Sequence, residues 1–424
     1  MNPRLKKYMI IKPRHLTKIV KIIIIFPFVL LFLLLAVALR TFYIIRWQPL
    51  VSSRLGHFAA NTELYCCERD YGINIPSKPH LDLFYFNPGS YICNQQLAKM
   101  WAREINIAPN FVAFILYGAT RIINIFKKSL PFLSDHLIGN NANSDRDIYN
   151  LLDKTEQHLF FTKNEKNKGE RWLKDNNISK NTNIILLMVR DNTYLNDTQG
   201  SRDWSYHDYR DCNIDNFVAT AEELAGRGFC VIRMGHHTSK LKSEHPLIID
   251  YATNGMRDDF MDIYLASICH FIISTGHGAE APAGWCFRKP RVVVNHCPTG
   301  YLQTFSHKDL LLTKHHILSK EDRELRLSEI FSKGVGFCMQ SQCYKDKGVH
   351  LKENTPVEIC DIVKEMVDRL EGNWVTKLDD ELLQKSFWGL YPVEASTLDG
   401  KPLHGEIKAR FGAAFLRNNP NWLK

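Results

Sequence analysis

Three places in this chain gather arginine, histidine and small hydrogen-donating residues at the end of an apolar run. Arg190-Asp191-Asn192 follows Ile184 to Val189, Arg233-Met234-Gly235-His236-His237 closes Phe229 to Met234, and Ser274-Thr275-Gly276-His277-Gly278 follows His270 to Ile273. Arginine forks match phosphate oxygens bidentately, and glycines let backbone N–H groups come close to an anion. Between the first two clusters, Tyr206-His207-Asp208-Tyr209-Arg210 adds an imidazole and a carboxylate able to take a proton. Together these types suit a diphosphate that must be neutralised while a hydroxyl loses its proton. Each alone has a plainer reading. A strand-end arginine usually serves a surface ion pair, the glycine loop can be a tight turn, His236 and His237 can be solvated, and Asp215, Asp250 and Asp262 can cap or brace.

The groups share one site only if strands present them along one edge. Met256 to Asn295 reads as helix, strand, small-residue loop and strand in succession. Asp258 or Asp259 caps a helix whose Met261, Tyr264, Leu265 and Ile268 recur at the spacing of one buried face. The short, unalternating run after it fits an inner parallel strand covered on both sides. Ahead of it lie strands at Ile184 to Val189, Phe229 to Met234 and Leu247 to Asp250, and a helix from Asp215 to Ala225 closed by Gly226 and Gly228. Such alternation predicts a parallel sheet with right-handed crossovers, whose carboxyl-end loops collect on one edge. On that edge Arg190, Arg233, Gly235, Ser274, Thr275, Gly276, His277 and Gly278 are the candidate anion ligands, and His207 or Asp208 is the candidate base. Arg233 is expected to act on the ligand rather than on folding. Thr355-Pro356-Val357-Glu358 later opens a further helix as a capping box.

The first region carries a strand at Leu81 to Phe86, the turn Asn87-Pro88-Gly89 and a helix at Gln95 to Glu104. Arg54-Leu55-Gly56-His57 leads into Asn61-Thr62-Glu63-Leu64-Tyr65, a glycine beside a basic pair ahead of a helix, which is either a ligand loop or a plain turn. Asp145-Arg146-Asp147 has the spacing of a metal-binding DxD but follows no apolar strand, so a solvated loop is expected. Lys163 to Asn183, rich in Lys, Asn, Glu and Ser, reads as a surface linker.

Composition narrows the classes. The 424 residues, 45% hydrophobic and 23% charged, exclude wholesale disorder and allow an anchor plus two domains. Much of the +9 charge sits at Arg4, Lys6, Lys7, Lys12, Arg14, Lys18 and Lys21. With no zinc-finger spacing or aromatic-interleaved basic motif elsewhere, nucleic acid is not an expected partner. Ile22 to Leu39 is a run of 18 apolar residues broken only by Pro27, long enough to span hydrocarbon. Basic residues before it outnumber Arg40 and Arg46 after it, which predicts a single pass with a cytoplasmic N-terminus. Ala36-Val37-Ala38 offers the competing reading of a cleaved signal peptide. The eleven cysteines, as at Cys230, Cys269 and Cys360, read mostly as buried thiols, while Cys66-Cys67 and Cys338/Cys343 could pair or bind metal. Asn177-Ile178-Ser179 and Asn196-Asp197-Thr198 are glycosylation sequons that matter only in a secretory lumen.

An ordered series of motifs resembles a family of glycosyltransferases found mainly in bacteria. It comprises Tyr206 to Arg210, Ile214-Asp215-Asn216, Val231-Ile232-Arg233-Met234-Gly235, Asp250-Tyr251-Ala252, Asp262-Ile263-Tyr264-Leu265 and Thr275-Gly276-x-Gly278. Arg54 to His57 with Asn61 to Tyr65 is similar to that family's amino-terminal motif, so coverage runs from about Arg54 to Trp374. The resemblance implies a B-type glycosyltransferase: two Rossmann-like domains facing a cleft, the donor on the second, usually without an essential metal. Arg190 and the Ser274 loop are similar to motifs that contact GDP in fucosyltransferases of that fold. His277 stands where a small residue is more usual, and Met188 where those enzymes tend to carry histidine.

The expected organisation is therefore α/β, two Rossmann-like domains of the glycosyltransferase B type preceded by one transmembrane helix. A basic tail (1–21) leads to the anchor (22–39), an N-terminal acceptor domain (40–175), a nucleotide-sugar domain (180–335) and a helical extension (336–424). Arg54, Gly56, His57 and Asn61 fall on the acceptor side. The expected activity moves a sugar from a nucleotide-diphosphate donor to a glycan or lipid-linked acceptor, with no cofactor and no metal. The catalytic part is expected in a lumen if the chain is eukaryotic and at the inner membrane if it is bacterial. Transfer of a pyruvyl or phospho group to a polysaccharide, or an idle anchored glycan-binding protein, are the alternatives.

Overall fold

The computed structural model describes residues 13–139, 145–191, 205–236, 238–276, 278–397 and 399–424, with side chains from residue 24 on, Ser205 excepted. His237, His277 and the sequon at Asn196 lie outside them. In chain order the strands are β1 (Ile44–Leu50), β2 (His80–Phe86), β3 (Ile184–Met188), β4 (Cys230–Arg233), β5 (Ile248–Ile249), β6 (Phe271–Ser274), β7 (Arg291–His296), β8 (Asp309–Thr313), β9 (His315–Leu318), β10 (Arg323–Glu324), β11 (Val349–Lys352) and β12 (Arg410–Phe411). The helices that frame the site are α1 (Pro13–Leu39), α2 (Leu55–Tyr71), α3 (Gln95–Glu104), α4 (Asn110–Phe126), α5 (Lys163–Asp175), α6 (Val218–Gly226) and α7 (Asp259–Ile268).

Seven strands form one sheet in the order β12-β8-β7-β6-β3-β4-β5, and every pairing is parallel. Counted from β3, its first six strands run 3-2-1-4-5-6, the doubly wound order in which the chain reverses direction between the first and fourth strands. That reversal lies between β3 and β6, which pair from Ile185 with Phe271 to Met188 with Ser274. The apolar runs lack polar alternation because both faces are covered. Ile184, Leu186 and Met188 enter one core cluster, and Ile185, Leu187 and Val189 the other. Asp258 caps α7 by accepting from Met261 N–H at 2.8 Å, one of the two caps foreseen. The capping box at Thr355 and Glu358 opens the helix Pro356–Leu370.

The N-terminal part pairs β1 with β2 in parallel from Ile44 with His80 to Leu50 with Phe86. Two isolated bridges, Trp47 to Leu137 and Phe84 to Ile107, extend this pair among the described residues. Helices α1 and α4 pack with β1 and β2 in a cluster of their own, but α2 and α3 do not form a separate core. Phe58 of α2 and Leu97 and Trp101 of α3 belong to the same cluster as Leu186, Ile232 and Ile272 of the large sheet. Fully burying large apolar side chains of this kind is worth about 1.5–3 kcal/mol each, so this shared core presses α2 against the strand tips.

Four expectations need correction. No helix among the described residues is long and apolar enough to cross a membrane. The run Ile22 to Leu39 instead lies in α1, which buries Val29, Leu33 and Ala36 against α4, where Gly118 leaves room for Val29. The single-pass placement, and the lumenal or inner-membrane location drawn from it, are overturned. Lys163 to Asn183 is not simply a linker, for α5 begins at a Thr162–Glu165 capping box and lays Gly169 against the Tyr264 ring. Asp145 to Asp147 is not a solvated loop: the Asp147 carboxylate accepts from the N–H groups of Leu151 and Leu152, and Arg146 donates to Tyr301 O at 3.1 Å. The segment 336–424 is not only helical, since β12 extends the sheet beside β8. Cys338 and Cys343 are joined as a disulfide.

Candidate functional site

Beyond β3 and β6 the strands stay linked by hydrogen bonds. Thr275 N–H donates to Met188 O at 3.2 Å, and Arg190 N–H donates to Thr275 Oγ1 at 3.1 Å. Arg190 and the Ser274 to Gly278 loop therefore meet at the reversal point, where ligands of doubly wound sheets collect. Gly276 has φ 71° and donates its N–H to Ser274 Oγ at 3.1 Å. A side chain at Gly276 would also stand 2.4 Å from His296 Cδ2, so glycine is required twice over.

The Tyr206 to Arg210 segment folds back onto this loop. Arg210 Nη2 donates to Gly276 O at 2.8 Å, and Arg190 Nε donates to Asp211 Oδ1 at 3.2 Å. Lys314, just past β8, donates from Nζ to Asp211 O at 2.6 Å. Burial, and then the charge of Arg190, pushes the Arg210 pKa down. His207 stands among these groups, its ring centroid 4.0 Å from that of Tyr206. Burial first, then Arg190, Arg210 and Arg54, pushes its imidazole below the ordinary histidine range. It is therefore neutral at pH 7 and can accept a proton. The neighbouring Asp208 is exposed.

Arg54 acts on His207 through its charge. It is the N-cap of α2, with an extended backbone and no side-chain capping bond, and its side chain is exposed. Two residues on, a Cβ added to Gly56 would lie 2.6 Å from Gly278 Cα, so the two backbones touch. The start of a 17-residue helix, with its unpaired amide groups and positive dipole end, is thereby aimed at the glycine loop. His57 and Asn61 share one face of α2, His57 Nδ1 lying 3.4 Å from Asn61 Oδ1.

Arg233 does not join this group. Its guanidinium is wholly buried and donates to Met234 O and, at 3.0 Å, to Val189 O. Burial pulls its pKa down to about 10 despite Asp191 and Asp250. It braces the tips of β3 and β4 from inside and offers no fork to a ligand. Gly235, at φ 150°, packs under Thr238.

No family model and no curated protein matches the chain. Among solved structures it is similar to the E. coli ADP-heptose LPS heptosyltransferase II, with 12% identity, 64% of this chain and 90% of that one covered, and a TM-score of 0.37. A glycosyl transferase of family 9 from Veillonella parvula DSM 2008 gives 10% identity, coverage of 59% and 80%, and a TM-score of 0.36. S. aureus MnaA with UDP gives 10%, 76% and 80%, at 0.23. Overlaps this loose transfer no activity.

The structure thus brings together Arg190, Ser274, Thr275, Gly276, Gly278, His207, Arg54 and Gly56, with His57 and Asn61 a turn away. It adds Arg210, Lys314 and His296. Arg210 was visible inside a motif, but strand-end logic favoured Arg233. Lys314 left no sign because its strand was not recognised. His296 ends β7, whose apolar residues are Val292 to Val294. Burial, then Arg210, Arg146 and Arg291, holds His296 down to about 3, so it underlies Gly276 as a neutral ring.

Proposed function

We propose that the chain is a B-type glycosyltransferase that moves a sugar from a nucleotide-diphosphate donor to a glycan or lipid-linked hydroxyl, its residues 40–175 serving the acceptor and 180–335 the donor. The observation that carries this reading is the meeting of Arg190, Arg210 and the Ser274 to Gly278 loop with the start of α2 and Arg54 at the reversal point of the sheet. Charge supports the same ligand. Arg54, Arg190, Arg210 and Lys314 face Asp208 and Asp211, an excess of two positive charges, against two negative charges on a sugar-diphosphate ester.

In this reading the bond from the anomeric carbon to the diphosphate breaks, and its electrons stay on the departing phosphate oxygen. Arg210, Arg190 and the free amides at the start of α2 neutralise that charge as it develops. The acceptor oxygen bonds to the anomeric carbon and gives its proton to His207, which its cationic surroundings keep neutral.

The test is the purified full chain against UDP-, GDP- and ADP-sugars, with a CMP-sugar, which carries a single phosphate, as the control. A donor-specific rise in Tm together with slow hydrolysis of that donor is expected. A Tm rise without any hydrolysis favours a binding protein, and no response to any donor sinks the proposal.

A further inference from the structure

Gly56 and Gly278 touch backbone to backbone. Directional contacts lie seven residues along α2, roughly 10 Å away at the rise of a helix. Glu63, wholly buried, accepts from Arg288 Nη2 at 2.7 Å and from His158 Nδ1 at 2.9 Å. His158 Nε2 lies 2.8 Å from Asp70 Oδ2, so each ring nitrogen faces a carboxylate. Burial opposes the imidazolium, but Cys67, Glu63 and Asp70 together raise it to about 10.

Ligand atoms of Glu63, Cys67 and His158 fall within 4.8 Å of one another, a spacing a transition metal could use. Two protein cations already fill that role. Arg288 Nη2 lies on the Glu63 carboxylate and 3.5 Å from Cys67 Sγ, and His158 is charged. The cluster is an ion-pair clamp, not an open metal site. Arg288 also donates to Leu152 O at 2.8 Å, to Glu156 O at 3.3 Å and to Trp285 O. It joins α2 to the 152–156 segment and to the turn Pro282–Cys286 that follows the glycine loop. It does so at φ 55°, a left-handed backbone that costs a non-glycine residue about 1 kcal/mol or more and persists only when its contacts over-determine it.

We propose that Glu63, Arg288 and His158 are positioning residues that fix the apposition of Gly56 and Gly278, and with it the placement of Arg54 and His57 at the site. The second half rests on the diphosphate reading, and the first does not.

The experiment compares the full-length wild type with Glu63→Gln, which keeps the shape and removes the charge, and Glu63→Asp, which keeps the carboxylate. Amide exchange is followed at Phe58 to Thr62 and at Gly276 to Ala279. Glu63→Gln should speed exchange there by about tenfold while β3 stays protected, and Glu63→Asp should lie nearer the wild type. Pyrophosphate titrations supply the second readout. Arg54→Ala should weaken pyrophosphate about tenfold in the wild type and less than about twofold in the Glu63→Gln background, since coupled sites are not additive. Unchanged exchange in Glu63→Gln, or an Arg54→Ala loss of equal size in both backgrounds, overturns the proposal. Faster local exchange in a chain whose wild type ignores pyrophosphate supports the clamp and sinks the diphosphate reading alone.

Discussion

Gly56 and Gly278 are in backbone contact, a Cβ on the first standing 2.6 Å from the Cα of the second. One belongs to the helix after β1 and the other to the loop after β6, so the site is closed by two distant parts of the chain.

That contact gives the first prediction a definite sign. On an open helix, alanine in place of glycine is favourable by about 1 kcal/mol. At Gly56 the added methyl meets backbone that cannot step aside cheaply. Gly56→Ala should destabilise the protein by about 1–3 kcal/mol and cut transfer more than tenfold. A urea melt showing a stabilised Gly56→Ala protein would contradict the contact.

Arg233→Ala should act on folding rather than on the ligand. The guanidinium is buried on two carbonyls, and its loss leaves Val189 O and Met234 O unmatched at a cost of about 1–3 kcal/mol each. Arg233→Met, apolar and of similar reach, should be the milder change. Thermal melts and pyrophosphate affinity separate the effects. An unaltered Tm with lost affinity would return Arg233 to the ligand.

His207 supplies a pH signature. Its folded pKa is pushed down by burial and by Arg190, Arg210 and Arg54, so the proton-accepting form survives below the usual value of about 6.5. The acid limb of the transfer rate should accordingly lie below about pH 6.5. Arg54→Gln removes one positive neighbour and should move that limb upward. A limb that stays in place or moves down would exclude His207 as the base.

His158 supplies the opposite signature in stability. Its folded pKa is raised to about 10, so its contribution is complete below the unfolded value and is lost as pH climbs toward 10. The Tm should fall between pH 7 and pH 10 more steeply in the wild type than in His158→Gln. Equal slopes would mean that the imidazole is not held as a cation between Glu63 and Asp70.

Much of this architecture was legible beforehand. Unbroken apolar runs such as Ile184 to Val189 and His270 to Ile273 announce strands covered on both faces, because a half-exposed strand would alternate. The cap at Asp258 and the box at Thr355 to Glu358 are local hydrogen-bonding patterns, readable wherever they stand. Arg190, Ser274, Thr275 and Gly276 could be placed together because parallel strands put their ends on one edge.

Less legible was anything that depends on which face of a strand meets which neighbour. Gly169 in α5 has the local composition of a linker but packs against Tyr264, and the Asp145 to Asp147 loop has a polar sequence but its Asp147 carboxylate is bonded to backbone N–H groups. The apolar run Ile22 to Leu39 has the composition of a membrane span, and only packing shows part of it buried on α4.

From residue order alone came the inner strands β3, β4 and β6, their parallel sense and the loops at their carboxyl ends, since these follow from periodicity and caps within a few residues. Tertiary structure decided that Arg233 turns inward, that Arg210 reaches Gly276, and that α2 closes on the glycine loop. Those outcomes depend on side-chain direction and on contacts between segments some two hundred residues apart. Such contacts are set by the shared core, whose packing leaves no mark in local spacing.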